Sequence, residues 1–275
     1  MRADQRARRD AFLSLVGTRP VVMGVLNVTP DSFSDGGLFQ SPDAAVAQAG
    51  KMVGEGADII DVGAESTRPG AVAVSEADEL ARLEPVVTAL AERGTALSVD
   101  TYKARIAAQA IKLGAILIND VWGLQRDPAM ADTVAAGEAA VIIMHNREDK
   151  DRALDIVADM RRFFDRSLAL AARANVPDEH IILDPGIGFA KTSQQNIEAV
   201  RRLGELRDYG RPILVGVSRK KFLGQWSGNA AEGERAGTLA ACLAAAAAGA
   251  SLFRVHDVAE HVAALQVFHA IRGVG

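Results

Sequence analysis

Eight apolar, β-rich runs recur along this chain, each ending in polar or Gly-containing residues and each followed by a helical pattern. The predicted strands are 21–29, 58–64, 96–101, 116–121, 140–146, 181–188, 213–219 and 252–257. The predicted helices are 42–55, 76–93, 103–113, 128–136, 153–174, 193–209, 232–249 and 258–271. The strands read as nearly continuous apolar runs, the pattern of parallel strands covered on both faces. Eight strand–helix units in about 250 residues is the arithmetic of a single (β/α)8 barrel, a TIM barrel in the α/β class. An open doubly wound sheet would want a glycine-rich turn after its first strand. The first strand here runs instead into Asn27-Val28-Thr29-Pro30-Asp31. No linker rich in Pro, Gly or Ser divides the chain, so residues 1–20 are read as a partly helical leader and 21–275 as one barrel domain.

Composition narrows the function classes. With 49% hydrophobic and 24% charged residues the chain can bury a full core, which rules out global disorder. A net charge of −4 gives no electrostatic footprint for nucleic acid, so an anion would be held by local cations. The one cysteine, Cys242, excludes an internal disulfide and a Cys-based zinc site and fits a reducing, cytoplasmic setting. The basic N-terminus lacks a signal-peptide core. The Ala-rich run 236–250 is too short and too weakly apolar for a membrane span, and is expected to be a buried helix that allows close packing.

Function shows in where the polar residues fall. The strands end in Asn27, Asp61, Asp100, Asn119 with Asp120, His145, Asp184, Ser218 to Lys221, and Arg254 with His256. In a barrel, strand ends and the loops after them build the catalytic mouth. One Asp at a strand end is more often a helix cap, but eight strands ending this way are hard to explain as eight caps. The stretch 27–37 is long for a βα loop and carries Phe33 and Asp35, and 65–70 follows in the same style with Thr67, Arg68 and Pro69. Pro, Gly, Ser and Asp alone make ordinary turns. Phe33 and Arg68 are not turn residues, and such loops are candidate lids. Arg219, Lys220, Lys221, Arg254 and His256 follow the last two strands, where barrels often bind phosphate. Asp100, Asn119 and Asp184 suit a heterocycle with several N–H groups, such as an aminopyrimidinone. A hard cation, magnesium shared with a pyrophosphate through Asn27, fits better than zinc.

These segments together resemble the dihydropteroate synthase family. The matching stretches are 24–37, 58–70, Ser98-Val99-Asp100-Thr101, Asn119-Asp120-Val121, Met144-His145, Asp184-Pro185-Gly186-Ile187-Gly188-Phe189, Ser218-Arg219-Lys220 and Arg254-Val255-His256-Asp257. They run in the family's order from about residue 21 to the end, and the ordered series is very specific. The resemblance implies condensation of 6-hydroxymethyl-7,8-dihydropterin diphosphate with p-aminobenzoate, in folate biosynthesis, to give dihydropteroate and pyrophosphate. It implies that Asp100, Asn119, Asp184 and Lys220 hold the pterin with Met144 beside the ring. Asn27, Arg254, His256 and Mg2+ would hold the diphosphate. Phe33, Thr67, Arg68, Pro69, Phe189, Lys220 and Lys221 would frame the p-aminobenzoate.

An SN1-like step is expected, with Asp35 facing the developing cation and Lys220, Arg254 and His256 as further catalytic residues. Homodimerisation follows from the same resemblance; sulfonamide sensitivity is expected because the loops near Phe33 and Pro69 look ordinary, and no nucleic-acid or membrane partner is expected from the charge and the lack of a spanning segment. Three positions depart from the family pattern: Lys221 where Ser is frequent, Ala64 where Gly is common, and Asn146 where a second Met is usual. Two alternatives share the barrel. A methyltetrahydrofolate–corrinoid methyltransferase should lack the first-loop motif and the Arg254-Val255-His256 cations, and a non-catalytic pterin-binding paralogue should have lost loop residues or Lys220. Neither loss is seen.

Overall fold

The computed structural model describes residues 1–29, 41–65, 74–227 and 230–273. In chain order the elements are α1 (Ala3–Val16), β1 (Val21–Asn27), α2 (Pro42–Gly54), β2 (Ile59–Gly63), α3 (Glu76–Glu92), β3 (Leu97–Asp100), α4 (Ala104–Leu113), β4 (Leu117–Asp120) and α5 (Met130–Gly137). There follow β5 (Ala140–Met144), α6 (Ile156–Arg173), β6 (Ile181–Asp184), α7 (Ser193–Arg201), β7 (Leu214–Val215), α8 (Lys221–Ser227), α9 (Ala230–Ala247), β8 (Leu252–Val255) and α10 (Val258–Arg272).

All eight strands are parallel, in the order β6-β5-β4-β3-β2-β1-β8-β7. A parallel bridge between Leu183 and Ile213, with the Leu183 N–H donating to the Pro212 carbonyl at 2.9 Å, joins the two ends and closes the barrel. Eight parallel strands in a ring, each followed by helix, is the TIM-barrel architecture expected from the repeat.

Strand periodicity sorts each strand into two cores. Val22, Leu26, Ile60, Val62, Leu97, Val99, Ile118, Val141, Ile143, Leu183, Val215, Phe253 and Val255 pack outward against the helices. Val21, Met23, Ile59, Leu117, Ala140, Ile142, Ile182, Leu214 and Leu252 point into the barrel and fill its lower half. Phe12 and Val16 of α1 belong to this inner cluster, so the N-terminal helix plugs the bottom of the barrel. Its Gln5 side chain ties it down by donating to the Ile111 and Ala115 carbonyls, both at 2.8 Å.

Several elements differ from expectation, each for a local reason. The sixth strand stops at Asp184 because Pro185 has no N–H and Gly186 turns left-handed at φ 63°. The seventh keeps only Leu214–Val215 in the sheet, since Arg219 also turns left-handed (φ 54°) and sends its N–H to Thr238 Oγ1 at 3.1 Å. The helix expected over 193–209 ends at Arg201 and continues as a 3-10 segment, Leu203–Tyr209, that contains the poor helix former Gly204. The Ala-rich helix is not buried all round: Thr238, Cys242 and Ala245 face the core, while Ala236, Ala240, Ala244 and Ala247 are exposed. Alanine is small and weakly apolar, so its clustering does not say which face a helix buries. No helix among the described residues is long and apolar enough to cross a membrane.

Candidate active site

Moving up the barrel axis, the inward side chains change from apolar to polar. Above Met23 comes Asn27, above Ile59 comes Asp61, above Leu117 comes Asn119, and above Ile182 comes Asp184. Strand register places Asn27 opposite Gly63, Gly63 opposite Asp100, and Asp100 opposite Asn119 at one level. Met144 stands opposite Asp184 on the far wall. Gly63 is a gap in this ring: a Cβ there would lie 3.5 Å from the Asp100 Cβ and 3.7 Å from Asn27 Oδ1. The backbone therefore recedes between the two side chains and leaves room in the mouth.

Arg254 of β8 crosses to the opposite wall. Its Nε donates to Asp61 Oδ2 at 2.7 Å and its Nη2 to Asp100 Oδ2 at 2.9 Å, and Asn119 Nδ2 donates to the same Asp61 oxygen at 3.1 Å. Asp61 Oδ1, Asp100 Oδ1 and Asn119 Oδ1 are buried and have no hydrogen-bond partner. Buried acceptors without partners are uncommon and cost about 1–3 kcal/mol each. Three of them together at one end of the barrel form a recognition surface for a ligand rich in N–H donors.

Burial dominates the electrostatics here. It pushes the Asp184 carboxyl up to about 6 even though the Gly186 N–H donates to its Oδ1 at 2.7 Å and Lys191, Lys220 and Arg254 all favour the anion. Asp100 rises to about 7: loss of water outweighs the Arg254 guanidinium, and the neighbouring Asp61 adds repulsion. Arg254 moves upward because Asp61 and Asp100 favour its cation, whereas Asp100 moves upward because burial disfavours its anion, so the cost of the pair falls on the carboxylate.

Burial and the neighbouring Arg254 and Arg219 charges also push His256 down, to about 3, so its imidazole is neutral. Ser218 Oγ lies 3.0 Å from His256 Nδ1 and accepts from the His256 backbone N–H at 3.2 Å. With Ser218 donating its hydroxyl proton to Nδ1, Nε2 carries the ring proton.

The other expected residues fall as follows. Lys220 lies over the Phe189 ring, Nζ to centroid 4.6 Å, and packs along the turn at Gly188. Lys221 is the exposed first residue of α8. Arg219 is engaged by Asp257, Nη2 to Oδ1 2.6 Å, so the run 219–221 does not present three like charges to one ligand. Phe33, Asp35, Thr67, Arg68 and Pro69 lie outside the described residues.

Two strand-end residues have other work. Asp120 accepts from the Trp122 and Leu124 N–H groups at 2.8 and 2.6 Å, a cap for the loop after β4. His145 lies behind the mouth, between Asp159 and Lys191. Asp61, 0% exposed, belongs to the same wall, and its position two residues above inward Ile59 is the signal in the chain that it faces the mouth. Lys191 sits in an irregular turn, where no periodicity marks a buried residue.

A family model described as pterin binding enzyme matches residues 23–256. The dihydropteroate synthase of Bacillus subtilis is 44% identical over 241 residues, covering 87% of this chain and 84% of that protein. The structure of Xanthomonas albilineans dihydropteroate synthase with 4-aminobenzoic acid superposes with a TM-score of 0.88 at 43% identity, covering 94% of each chain. The same enzyme in complex with 7,8-dihydropteroate gives 0.85 at 40% identity, over 94% of this chain and 95% of that one.

Proposed function

The chain belongs to the pterin-binding enzyme family and is a dihydropteroate synthase, a transferase, and on that premise we propose how its residues divide the reaction. One observation carries the division: three orphaned acceptors on Asp61, Asp100 and Asn119 share a wall with the Arg254 guanidinium. A pterin ring supplies the missing N–H donors, and Arg254 stands where ring and diphosphate meet. Asp184, ionised above about pH 6, accepts from the aminopyrimidinone edge, while Met144 and the Lys220–Phe189 pair bound the ring plane.

In the reaction the bond between the exocyclic pterin carbon and the diphosphate oxygen breaks, and its electron pair leaves with pyrophosphate. The electron-rich pterin spreads the resulting positive charge. Arg254 and the Nε2–H of His256 meet the charge growing on the leaving oxygen, His256 as a neutral donor. Preorganised donors of this kind are worth about 100- to 1000-fold in rate each. The p-aminobenzoate nitrogen, already neutral at pH 7, attacks the cation and then releases its proton to water. Because Arg254 also binds Asp61 and Asp100, it serves both halves of the site.

Magnesium enters this reading with the diphosphate. Among the described residues no group of three His, Cys, Asp or Glu could hold a metal. Asn27 offers one neutral oxygen beside Asp100, a donor set suited to a hard cation that takes its other ligands from phosphate and water. Bound there, it would neutralise leaving-group charge. The exposed alanines of α9, together with Trp226 of the neighbouring α8, 62% exposed, are the face we assign to a homodimer, to be checked by sedimentation. A cytoplasmic location, sulfonamide sensitivity, and contact with small molecules but neither nucleic acid nor membrane complete the proposal.

Pyrophosphate release tests the whole reading. Product should require both the pterin diphosphate and p-aminobenzoate, and should collapse in Asp184→Ala and Lys220→Ala. Folded wild-type protein that turns these two substrates over only at background rate would sink the division of roles.

A further inference from the structure

Behind the pterin wall lies a buried lysine that the reaction as described does not use. Lys191 is 2% exposed, and all three acceptors around its ammonium are uncharged. They are the Gly186 carbonyl at 2.7 Å, the Phe189 carbonyl at 3.3 Å and His145 Nδ1 at 2.8 Å. Since Nδ1 accepts, the His145 ring proton sits on Nε2 and points to Asp159 Oδ2 at 3.2 Å. Asp159 is in turn held by Arg147 at 3.3 Å and Arg162 at 2.9 Å. A buried ammonium without a carboxylate in contact is costly, and an apolar side chain would fill the same space at less cost. Packing alone does not account for it.

The segment it grips is strained. Gly186, Gly188 and Ala190 all have positive φ, at 63°, 88° and 42°. For Ala190 the left-handed backbone costs about 1–2 kcal/mol. A side chain at Gly186 would overlap the His145 carbonyl oxygen. This turn carries the Gly186 N–H that donates to Asp184 Oδ1 at 2.7 Å, and the Phe189 ring under Lys220. One ammonium thus binds the carbonyls at both ends of the turn that shapes the pterin wall.

We propose that Lys191, seated on His145 and Asp159, is a positioning residue for Asp184: it fixes the 186–189 turn and supplies the positive charge that keeps the Asp184 carboxylate ionised for the pterin. The inference rests on Asp184 being the ring-binding acid. The charged groups facing Asp184 are Lys191 on its own turn, Lys220 after β7 and Arg254 on β8. Those facing Lys191 are Asp184, Lys220, Arg147 after β5 and Asp159 on α6, with neutral His145 in contact; burial pushes the ammonium down to about 7, so its charge acts on Asp184 at and below neutral pH and fades above it.

The two parts of the role separate by pH. Calorimetry with 6-hydroxymethylpterin from pH 5.5 to 9 is run on wild type, Lys191→Met and Lys191→Gln, with pyrophosphate as second ligand. In both variants pterin affinity should fall about tenfold at pH 7 and the acid-side loss of binding should move up by about one pH unit, as expected when a nearby cation is removed. Pyrophosphate affinity should stay within twofold. His145→Gln removes no charge, so it should weaken pterin binding equally at every pH. Lys191→Gln retains hydrogen-bonding capacity and serves if Lys191→Met does not fold. A folded Lys191 variant whose pterin affinity matches wild type at every pH overturns the inference, as does one weakened equally at all pH values. Wild type that binds no pterin refutes the site reading itself, and this inference with it.

Discussion

Asp184→Asn should make the protein more stable while removing its ability to bind pterin. The wild-type carboxyl is buried and its pKa lies near 6, against 3.8 for an unperturbed Asp. That difference is worth about 3 kcal/mol at about 1.36 kcal/mol per unit. The sign follows from which state releases its proton first. Below about pH 3 the folded and unfolded chains both hold the group largely protonated, and the burial penalty is absent. As pH rises to about 6 the unfolded chain ionises before the folded one, so the wild type loses stability through that window.

The amide has no such dependence, and its oxygen can still accept from the Gly186 N–H. The variant should therefore exceed wild type by only about 0.5 kcal/mol at pH 4 and by up to about 3 kcal/mol at pH 8. Pterin affinity should drop at least about 100-fold, because an NH2 group replaces an acceptor opposite a ring donor. Urea unfolding of both proteins at pH 4, 6 and 8, with pterin calorimetry at pH 8, measures each part. A variant less stable than wild type at pH 8, or a stability difference that does not grow with pH, would refute the view that this carboxylate is held at the expense of the fold.

Arg254→Met leaves Asp61 and Asp100 facing each other without their cation, and should cost about 3–5 kcal/mol at pH 8. Adding Asp61→Asn should return part of that loss, measurable by urea unfolding as a double-mutant cycle. Gly186→Ala places a methyl group on the His145 carbonyl in a left-handed turn, and a loss of about 3 kcal/mol with weakened pterin binding is expected. In the ligand-free protein His256, held near pKa 3, should stay neutral down to pH 5 in an NMR titration, and protonation between pH 6 and 7 would contradict the burial described. Removing magnesium with a chelator should abolish pyrophosphate binding but leave pterin affinity and Tm unchanged, since among the described residues no acidic cluster depends on the ion.

Much of the protein is legible from its residues in order. Strands buried on both faces must be apolar nearly throughout, so eight such runs separated by helical patterns announce a parallel barrel, and the polar residues that break them mark its mouth. Asn27, Asp100, Asn119, Asp184 and Arg254 could be found this way because strand periodicity is local and the barrel aligns every strand end at one rim. Partnership is not local. Arg254 meets Asp61 across 193 residues of chain and Asp100 across 154, and Lys191 meets His145 across 46. No pattern in the chain states those distances. Burial is also a property of the assembled whole, which is why only the closed barrel reveals a neutral His256, an Asp184 held near 6, and a lysine kept from water behind the site. Sequence fixes which side chains reach the rim, since that depends on a two-residue repeat; the tertiary structure sets their charge and their neighbours, since both depend on the water that packing removes.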